Sequence, residues 1–364
     1  MPAMADAPLL DDLGQIQAPL LVVDLDAGSA PPAPAGDRAL VGVATRPLDQ
    51  ARRDLASTLD VTLVPPDAVA GPQCAASADP RADAGRLRAA AEASPQAALV
   101  LTAVLRAGPV DVAAALDLES FAYSTLLGGA EFARWLRHRG PRPGPPPSPQ
   151  PPVLVARTGD LLRISLNRPE RRNAYGREMR DRLAEALRLA VLDDTIEQVI
   201  LDGAGPSFCA GGDLDEFGTA PDLATAHFVR TRAGAGRLLH QVSERLEARL
   251  HGSCVGAGIE LPAFAARVTA QPGTTFRLPE VGMGLIPGAG GTVSIPRRIG
   301  RWRTFYLALS GCTLDAPTAA EWRLVDAIEL ANDADAARAD AAYLLLSGRG
   351  RRYPGYSAGP LRSA

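Results

Sequence analysis

Three segments combine small residues with carboxylates in patterns that could do chemistry: Ser207 to Asp215 (SFCAGGDLD), Gly252 to Pro262 (GSCVGAGIELP) and Leu278 to Arg297 (LPEVGMGLIPGAGGTVSIPR). In the first two, small residues follow a predicted strand and open a turn or helix, which leaves backbone N–H groups free to point at a ligand oxygen. Two such donors on one carbonyl oxygen make an oxyanion hole, and a thioester held there becomes an enolate at much lower cost. Gly212 and Ala257 are the candidate donors; the plainer reading of either loop alone is a tight turn with close backbone packing. Glu260 lies in an otherwise apolar run, VGAGIELPAFAA, where a carboxylate is expensive without a partner or a task. Burial raises a carboxyl pKa, which suits a proton donor, whereas the plainer reading is a glutamate satisfying a helix N-terminus. Glu280 follows Pro279 at the entrance of a second glycine-rich stretch and on its own reads as a solvated loop carboxylate. Taken together, Glu260 and Glu280 supply the acid and base needed to take a proton from water and deliver one to a carbon next to a carbonyl.

The elements that must position these residues fall on either side of Gly140 to Pro152 (GPRPGPPPSPQPP), a proline-dense stretch that cannot hold a helix and favours an extended spacer. Before it, Pro19 to Asp24, Ala39 to Ala44, Val61 to Val64 and Ala98 to Val104 read as short buried strands, with Arg52 to Leu59 and Gly85 to Ala93 helical between them. Val110 to Leu116 and Ser120 to Arg137 close this part as helices. The alternation predicts a small α/β unit over residues 1–139, followed by a linker over 140–152. Beyond the linker, Leu161 to Leu166 reads as a strand, Gly176 to Leu192 as an amphipathic helix and Gln198 to Asp202 as the next strand. Phe228 to Leu246 reads as a helix interrupted at Gly234 and Gly236, Ala248 to Val255 as a strand, and Ile259 to Ala266 as a helix. Successive βαβ-like units predict a parallel sheet with helices outside it over residues 153–331. A short C-terminal helix, Asp333 to Leu346, and a tail occupy 332–364.

Composition narrows the partners. A net charge of −3 gives no field suited to a polyanion, so nucleic acid is not expected as a partner. Cys74, Cys209, Cys254 and Cys312 show no metal or disulfide spacing and read as reduced thiols. The four histidines, His138, His227, His240 and His251, likewise show no metal spacing, and His251 reads as a structural hydrogen-bonding residue. No secretory leader is read at Met1 to Gln17, and no apolar run approaches a bilayer span. The expectation is a cytoplasmic protein with no membrane partner.

The stretches LNRPERRNA (Leu166 to Ala174), SFCAGGDLDEF, HGSCVGAGIEL and PEVGMGLIPGAGGT occur in this order, and with them the chain from about Val153 to Ala331 resembles the crotonase, or enoyl-CoA hydratase/isomerase, superfamily. The resemblance implies an α/β fold, a crotonase-like spiral of ββα turns preceded here by a smaller α/β N-terminal domain. It places Gly212 and Ala257 on the family's oxyanion hole, and Glu260 and Glu280 on its two hydratase glutamates. Having both glutamates favours hydration of a 2-enoyl-CoA to a 3-hydroxyacyl-CoA, or the reverse dehydration, over hydrolysis or dehalogenation. One glutamate, ionised, deprotonates water for attack at Cβ and the other, protonated, supplies hydrogen at Cα; which does which stays open. No metal or redox cofactor is implied, the CoA or acyl-carrier-protein thioester being part of the substrate. Arg168, Ala210, Gly211 and Asp213 match positions lining the family's CoA channel, and Arg168 or Arg171 could meet phosphates, their plainer reading being surface arginines. The resemblance also implies a homo-oligomer built on trimers. Double-bond isomerisation, cofactor-free oxygenation and a non-catalytic scaffold remain as alternatives. Two departures stand out: Asp215 occupies a position where many relatives carry Lys, and one helix, Asp333 to Leu346, is expected where relatives typically carry several C-terminal helices, while the first 150 residues are an addition. That addition either substitutes for the helices, regulates access or binds a partner.

Overall fold

The computed structural model describes residues 8–27, 35–108, 111–144 and 150–330, so the helix expected over 333–346 lies outside the described residues. In the first part, β1 (Leu20–Asp24), β2 (Ala39–Val43), α1 (Gln50–Thr58), β3 (Val61–Val64) and β4 (Cys74–Ala76) build a four-stranded, wholly parallel sheet in chain order. Every residue of β2 and β3 is buried, as continuous apolar strands covered on both faces should be. Asp49 caps α1 by accepting the Arg52 N–H. Four helices follow: α2 (Pro80–Ala93), α3 (Pro95–Arg106), α4 (Val112–Leu127) and α5 (Ala130–Arg139). The strand expected over Ala98 to Val104 is therefore wrong. A short apolar run has no decisive period, but here Pro95 starts the first turn and the buried positions 97, 98, 101, 102 and 105 follow a helical face.

Asp60 ties this part to the second. Only 2% exposed, it accepts the Leu40 N–H at 2.7 Å and pairs with Arg106 of α3 and with Arg301 at 3.4 Å. Replacing Asp60 by Asn keeps the shape but removes the charge that two guanidinium groups share. Hydrogen bonds to charged groups contribute about 1.5–3 kcal/mol each, so a loss of about 2 kcal/mol is expected, read as a lower urea midpoint with an unchanged slope.

The second part runs β5 (Val153–Thr158), β6 (Leu161–Leu166), α6 (Arg177–Leu192), β7 (Gln198–Gly203), α7 (Leu223–Phe228), one π-helical turn (Val229–Ala233) and α8 (Gly236–Gln241). It continues with β8 (Leu246–Leu250), β9 (Ser253–Val255), α9 (Ala257–Glu260), β10 (Arg267–Ala270), β11 (Thr275–Arg277), α10 (Gly291–Ser310, kinked at Gly300), β12 (Thr313–Asp315), α11 (Ala316–Glu321) and β13 (Ala327–Ile328). A six-stranded sheet has the order β13-β10-β8-β7-β6-β5, parallel except for the β5–β6 hairpin, and a small sheet has the order β12-β11-β9. Two successive turns of the chain thus leave one strand in the large sheet and one in the small sheet before a helix: β8, β9, α9, then β10, β11, a 3-10 turn and α10. This is the ββα spiral of the crotonase fold, preceded by the smaller α/β part.

The helices expected over Val110 to Leu116 and Ser120 to Arg137 are instead α4 and α5, divided at Gly128 and Gly129, and the helix expected over Ile259 to Ala266 is the short α9 followed by a 3-10 turn, Pro262–Phe264. Two further corrections fall at glycines. The strand expected over Ala248 to Val255 is two strands in different sheets. Gly252 turns the chain between them at φ +59°, hard against the Pro206 carbonyl, where no side chain fits. The helix expected over Phe228 to Leu246 ends at Gly234, whose missing Cβ lets the chain pass the Arg230 carbonyl in an extended conformation. The breaks aim β9 and α9 at the site and swing α8 against α4 of the first part.

Candidate functional site

Gly211 sits at φ +93°, and a Cβ there would lie 2.9 Å from the Val255 carbonyl oxygen, so the loop and β9 approach as closely as two backbones can. The Tyr175 N–H donates to the Gly211 oxygen and the Asp213 N–H to the Tyr175 oxygen, bracketing Gly212 and leaving its N–H with no acceptor among the described residues. On the facing loop the Gly256 N–H is bound to the Arg277 oxygen, and the Ile259 and Glu260 N–H groups return to the Gly256 oxygen. The Ala257 N–H, in the first turn of α9, is left unbound in the same way. Gly212 and Ala257 line one open-mouthed cavity, whose wall also includes Asp213, Glu260, Glu280, Phe217, Tyr123 and Arg230.

The two glutamates meet there. A Cβ built on Gly256, which has φ +49°, would collide with Oε1 of Glu280 and stand 3.7 Å from Oε1 of Glu260, so both carboxyl groups crowd one glycine. Glu260 is 3% exposed, and its Oε2 accepts the Ala289 N–H at 2.7 Å and the Gly291 N–H at 3.0 Å, at the start of α10. Glu280 is 9% exposed, and its Oε2 is buried without a hydrogen-bond partner. Burial pushes both carboxyls above the ordinary range. Repulsion from Glu280 and Glu119 adds to the rise at Glu260, and repulsion from Glu119 adds to it at Glu280, which reaches about 8. The donors at Glu260 favour its ionised form, whereas the orphaned oxygen of Glu280 gains nothing from a charge. The arrangement can therefore hold one ionised and one neutral carboxyl at neutral pH.

A third carboxyl comes from the first part and has no counterpart in the sequence reading. Glu119 of α4, 2% exposed, accepts the Gly290 N–H and the Thr292 N–H at 2.8 Å each and the Thr292 hydroxyl at 2.7 Å. Glu119 and Glu260 thus grip alternate N–H groups of the same turn. Burial raises Glu119 to about 7, against the pull of these bonds and of Arg230. Tyr123 and Leu127 of α4, with Phe132 and Leu136 of α5, wall the cavity on the same side. The signal was a run of polar residues on the inward face of an apolar helix: Glu119, Ser120 and Ser124 are all buried with Leu116.

The other sequence candidates are less central. Asp213 lines the cavity, but Arg168, Arg171, Ala210 and Gly211 do not. Arg171 is bound to both Asp213, at 2.7 Å, and Asp215, at 2.6 Å, so its charge is already met by two carboxylates and Asp215 is held ionised below the usual range. Arg168 is buried and 3.7 Å from both Glu170 and Glu178. His251 bonds the Gly205 carbonyl oxygen at 2.8 Å. Cys209 and Cys254 are fully buried beside the loops and pair their backbones across them. No described helix is long and apolar enough to cross a membrane.

Comparison with known proteins agrees with this fold. The family model for enoyl-CoA hydratase/isomerase matches residues 161–344, half of the chain, and the chain belongs to that family, within the crotonase superfamily. It is similar to the 1,2-epoxyphenylacetyl-CoA isomerase of Escherichia coli (strain K12), 38% identical over 170 residues that cover 45% of this chain and 64% of that one. It is similar to the 2,3-dehydroadipyl-CoA hydratase of the same strain, 33% identical over 173 residues, covering 48% of this chain and 67% of that one. A putative enoyl-CoA hydratase/isomerase, YhaR, of Bacillus subtilis (strain 168) is 31% identical over 196 residues, covering 54% and 76%. Among solved structures, an enoyl-CoA hydratase from Thermoplasma volcanium GSS1 is 33% identical, covering 52% of this chain and 76% of that one, with a TM-score of 0.46. The chain spans just under two thirds of the length of the first of these relatives.

Proposed function

We propose that this chain hydrates a 2-enoyl thioester, or runs the reverse dehydration, on CoA or an acyl carrier protein. One observation carries the reading: two buried carboxyls crowd Gly256 in the wall of a cavity that the two unbound N–H groups of Gly212 and Ala257 also line. The thioester oxygen lies between those N–H groups. Glu260, ionised and steadied by the Ala289 and Gly291 N–H groups, takes a proton from water as the water oxygen bonds to Cβ. The C=C electrons move to the thioester as an enolate, whose charge the Gly212 and Ala257 N–H groups accept. Glu280, neutral, then gives its proton to Cα. Relatives bearing the names of hydratases and isomerases of CoA thioesters support this class of chemistry. With no CoA-phosphate arginine free at Arg171, the carrier is held from elsewhere.

The reading is tested with the purified protein and a 2-enoyl-CoA, by loss of the conjugated thioester absorbance and appearance of the 3-hydroxyacyl product. Incubation in deuterated water should place one deuterium at Cα. A protein that leaves 2-enoyl-CoA untouched and instead conjugates a 3-enoyl-CoA is an isomerase, and one that does neither is not a hydratase.

A further inference from the structure

Arg230 is a half-buried cation in the wall of the reaction cavity. Its Nε donates to the Ser120 hydroxyl at 3.2 Å, and its Nη2 donates to the Ser120 carbonyl oxygen at 3.3 Å and to the Ser124 hydroxyl. The guanidinium lies 4.6 Å over the ring of Tyr123. Helix α4 thus fixes three sides of the group, and Nη1 remains without an acceptor among the described residues. No carboxylate lies within ion-pair distance of it among those residues, in contrast to Arg180 and Arg237 beside it, which are paired with Asp181 and Asp117. The nearby carboxyl of Glu119 has its oxygens occupied by Gly290 and Thr292. The Tyr123 hydroxyl, also on the cavity wall, has no hydrogen-bond partner among the described residues.

A cation removed from water, oriented by neutral acceptors and with no carboxylate at ion-pair distance among the described residues, is a site for an anion brought by the ligand. Desolvation already pulls Arg230 below its ordinary pKa, and an incoming carboxylate reverses that penalty. A thioester substrate carries anions in two places, the phosphates of its carrier and its own acyl chain. The pantetheine arm keeps the phosphates far from the thioester, whereas Tyr123, beneath the guanidinium, lies within electrostatic reach of both Glu260 and Glu280. The acyl end is therefore the part that reaches Arg230. We propose that Arg230, with the Tyr123 hydroxyl, binds a carboxylate at the distal end of the acyl chain, which makes the substrate an ω-carboxyacyl thioester. This rests on the thioester reading above and names the substrate class of that site.

The test uses the full chain and pairs of 2-enoyl-CoA thioesters of equal length, one ending in methyl and one in carboxylate. Wild-type protein should prefer the carboxylate by about 30-fold or more in kcat/KM, the scale for a buried charge pair, and in Arg230→Gln that ratio should fall to about 1. Tyr123→Phe, which removes only the hydroxyl, should lower the ratio by about 3- to 10-fold, and it stands in for Arg230→Gln if that variant does not fold. Inhibition by free CoA should be the same in Arg230→Gln and wild type; weakened inhibition assigns Arg230 to the phosphates and overturns the proposal. Calorimetry with the saturated ω-carboxyacyl-CoA and acyl-CoA separates this from the reaction itself. A binding preference for the carboxylate without turnover sinks the hydratase reading and leaves Arg230 its role, whereas turnover or binding with no preference, or no binding of either, overturns the role.

Discussion

Glu260→Gln and Glu280→Gln should each lower kcat for hydration by about 10³-fold, within the 10²–10⁴ range of positioned acid and base groups, with much smaller changes in KM. Gln at 260 still accepts from Ala289 or Gly291 but takes no proton from water; Gln at 280 cannot give one to Cα. The double variant should be little worse than either single one, because the two groups act on one transition state. In the proposed mechanism Glu280 works neutral, so kcat should fall as pH rises through about 8, where burial has moved its titration. The same shift sets a stability trend of opposite use to the enzyme. Between its ordinary value of 4.5 and about 8, Glu280 keeps its proton when folded and loses it when unfolded, so unfolding becomes easier as pH rises through that window. Glu280→Gln removes this penalty and should be more stable than wild type at pH 8, by about 1 kcal/mol or more, given 1.36 kcal/mol per pKa unit. A Gln variant with full activity, or one with an unchanged pH–stability curve, contradicts the assignment of Glu280 as the buried acid.

The half that carries the candidate site is legible in the sequence because its determinants are local. Gly211, Gly252 and Gly256 hold positive φ where neighbouring backbone or a carboxylate leaves no room for a Cβ, and each sits within a few residues of the group it positions. Glu260 and Glu280 stand out as carboxylates in apolar or glycine-rich runs. What sequence spacing does not carry is tertiary contact over long separations. Nothing near Glu119 in the chain indicates that its partners are Gly290 and Thr292, or that Arg230 is held by Ser120 and Ser124. Arg168 and Arg171 show the converse, since an arginine beside a carrier channel and one clamped by Asp213 and Asp215 look alike until the loops fold together. The run Ala98 to Val104 is ambiguous for a different reason: its outward positions are as apolar as its buried ones, with Ala103 exposed and Leu99, Val100 and Val104 half-buried, so no polar face marks the helical period.

Glu119→Ala should be the most damaging change in the first part of the chain, although the residue touches no substrate. It leaves the Gly290 N–H, the Thr292 N–H and the Thr292 hydroxyl without an acceptor in a buried site, and each such loss costs about 1–3 kcal/mol, for a total of about 3–5 kcal/mol once the turn relaxes. That turn also presents Ala289 and Gly291 to Glu260, so relaxation misplaces the base, and kcat should fall by about 10²-fold. Loss of stability alone would follow from any buried hydrogen-bonding residue, so the deciding readout is electrostatic. Glu119 raises the pKa of Glu260 and of Glu280 by repulsion. Glu119→Gln, which keeps most of the volume but no charge, should therefore move the alkaline limb of the kcat profile to lower pH than in wild type. That outcome would make Glu119 a positioning residue through which the first part of the chain reaches the proposed chemistry. An alkaline limb that stays in place in Glu119→Gln, with Glu119→Ala losing stability but keeping kcat, would reduce α4 to a lid without influence on the acid and base beneath it.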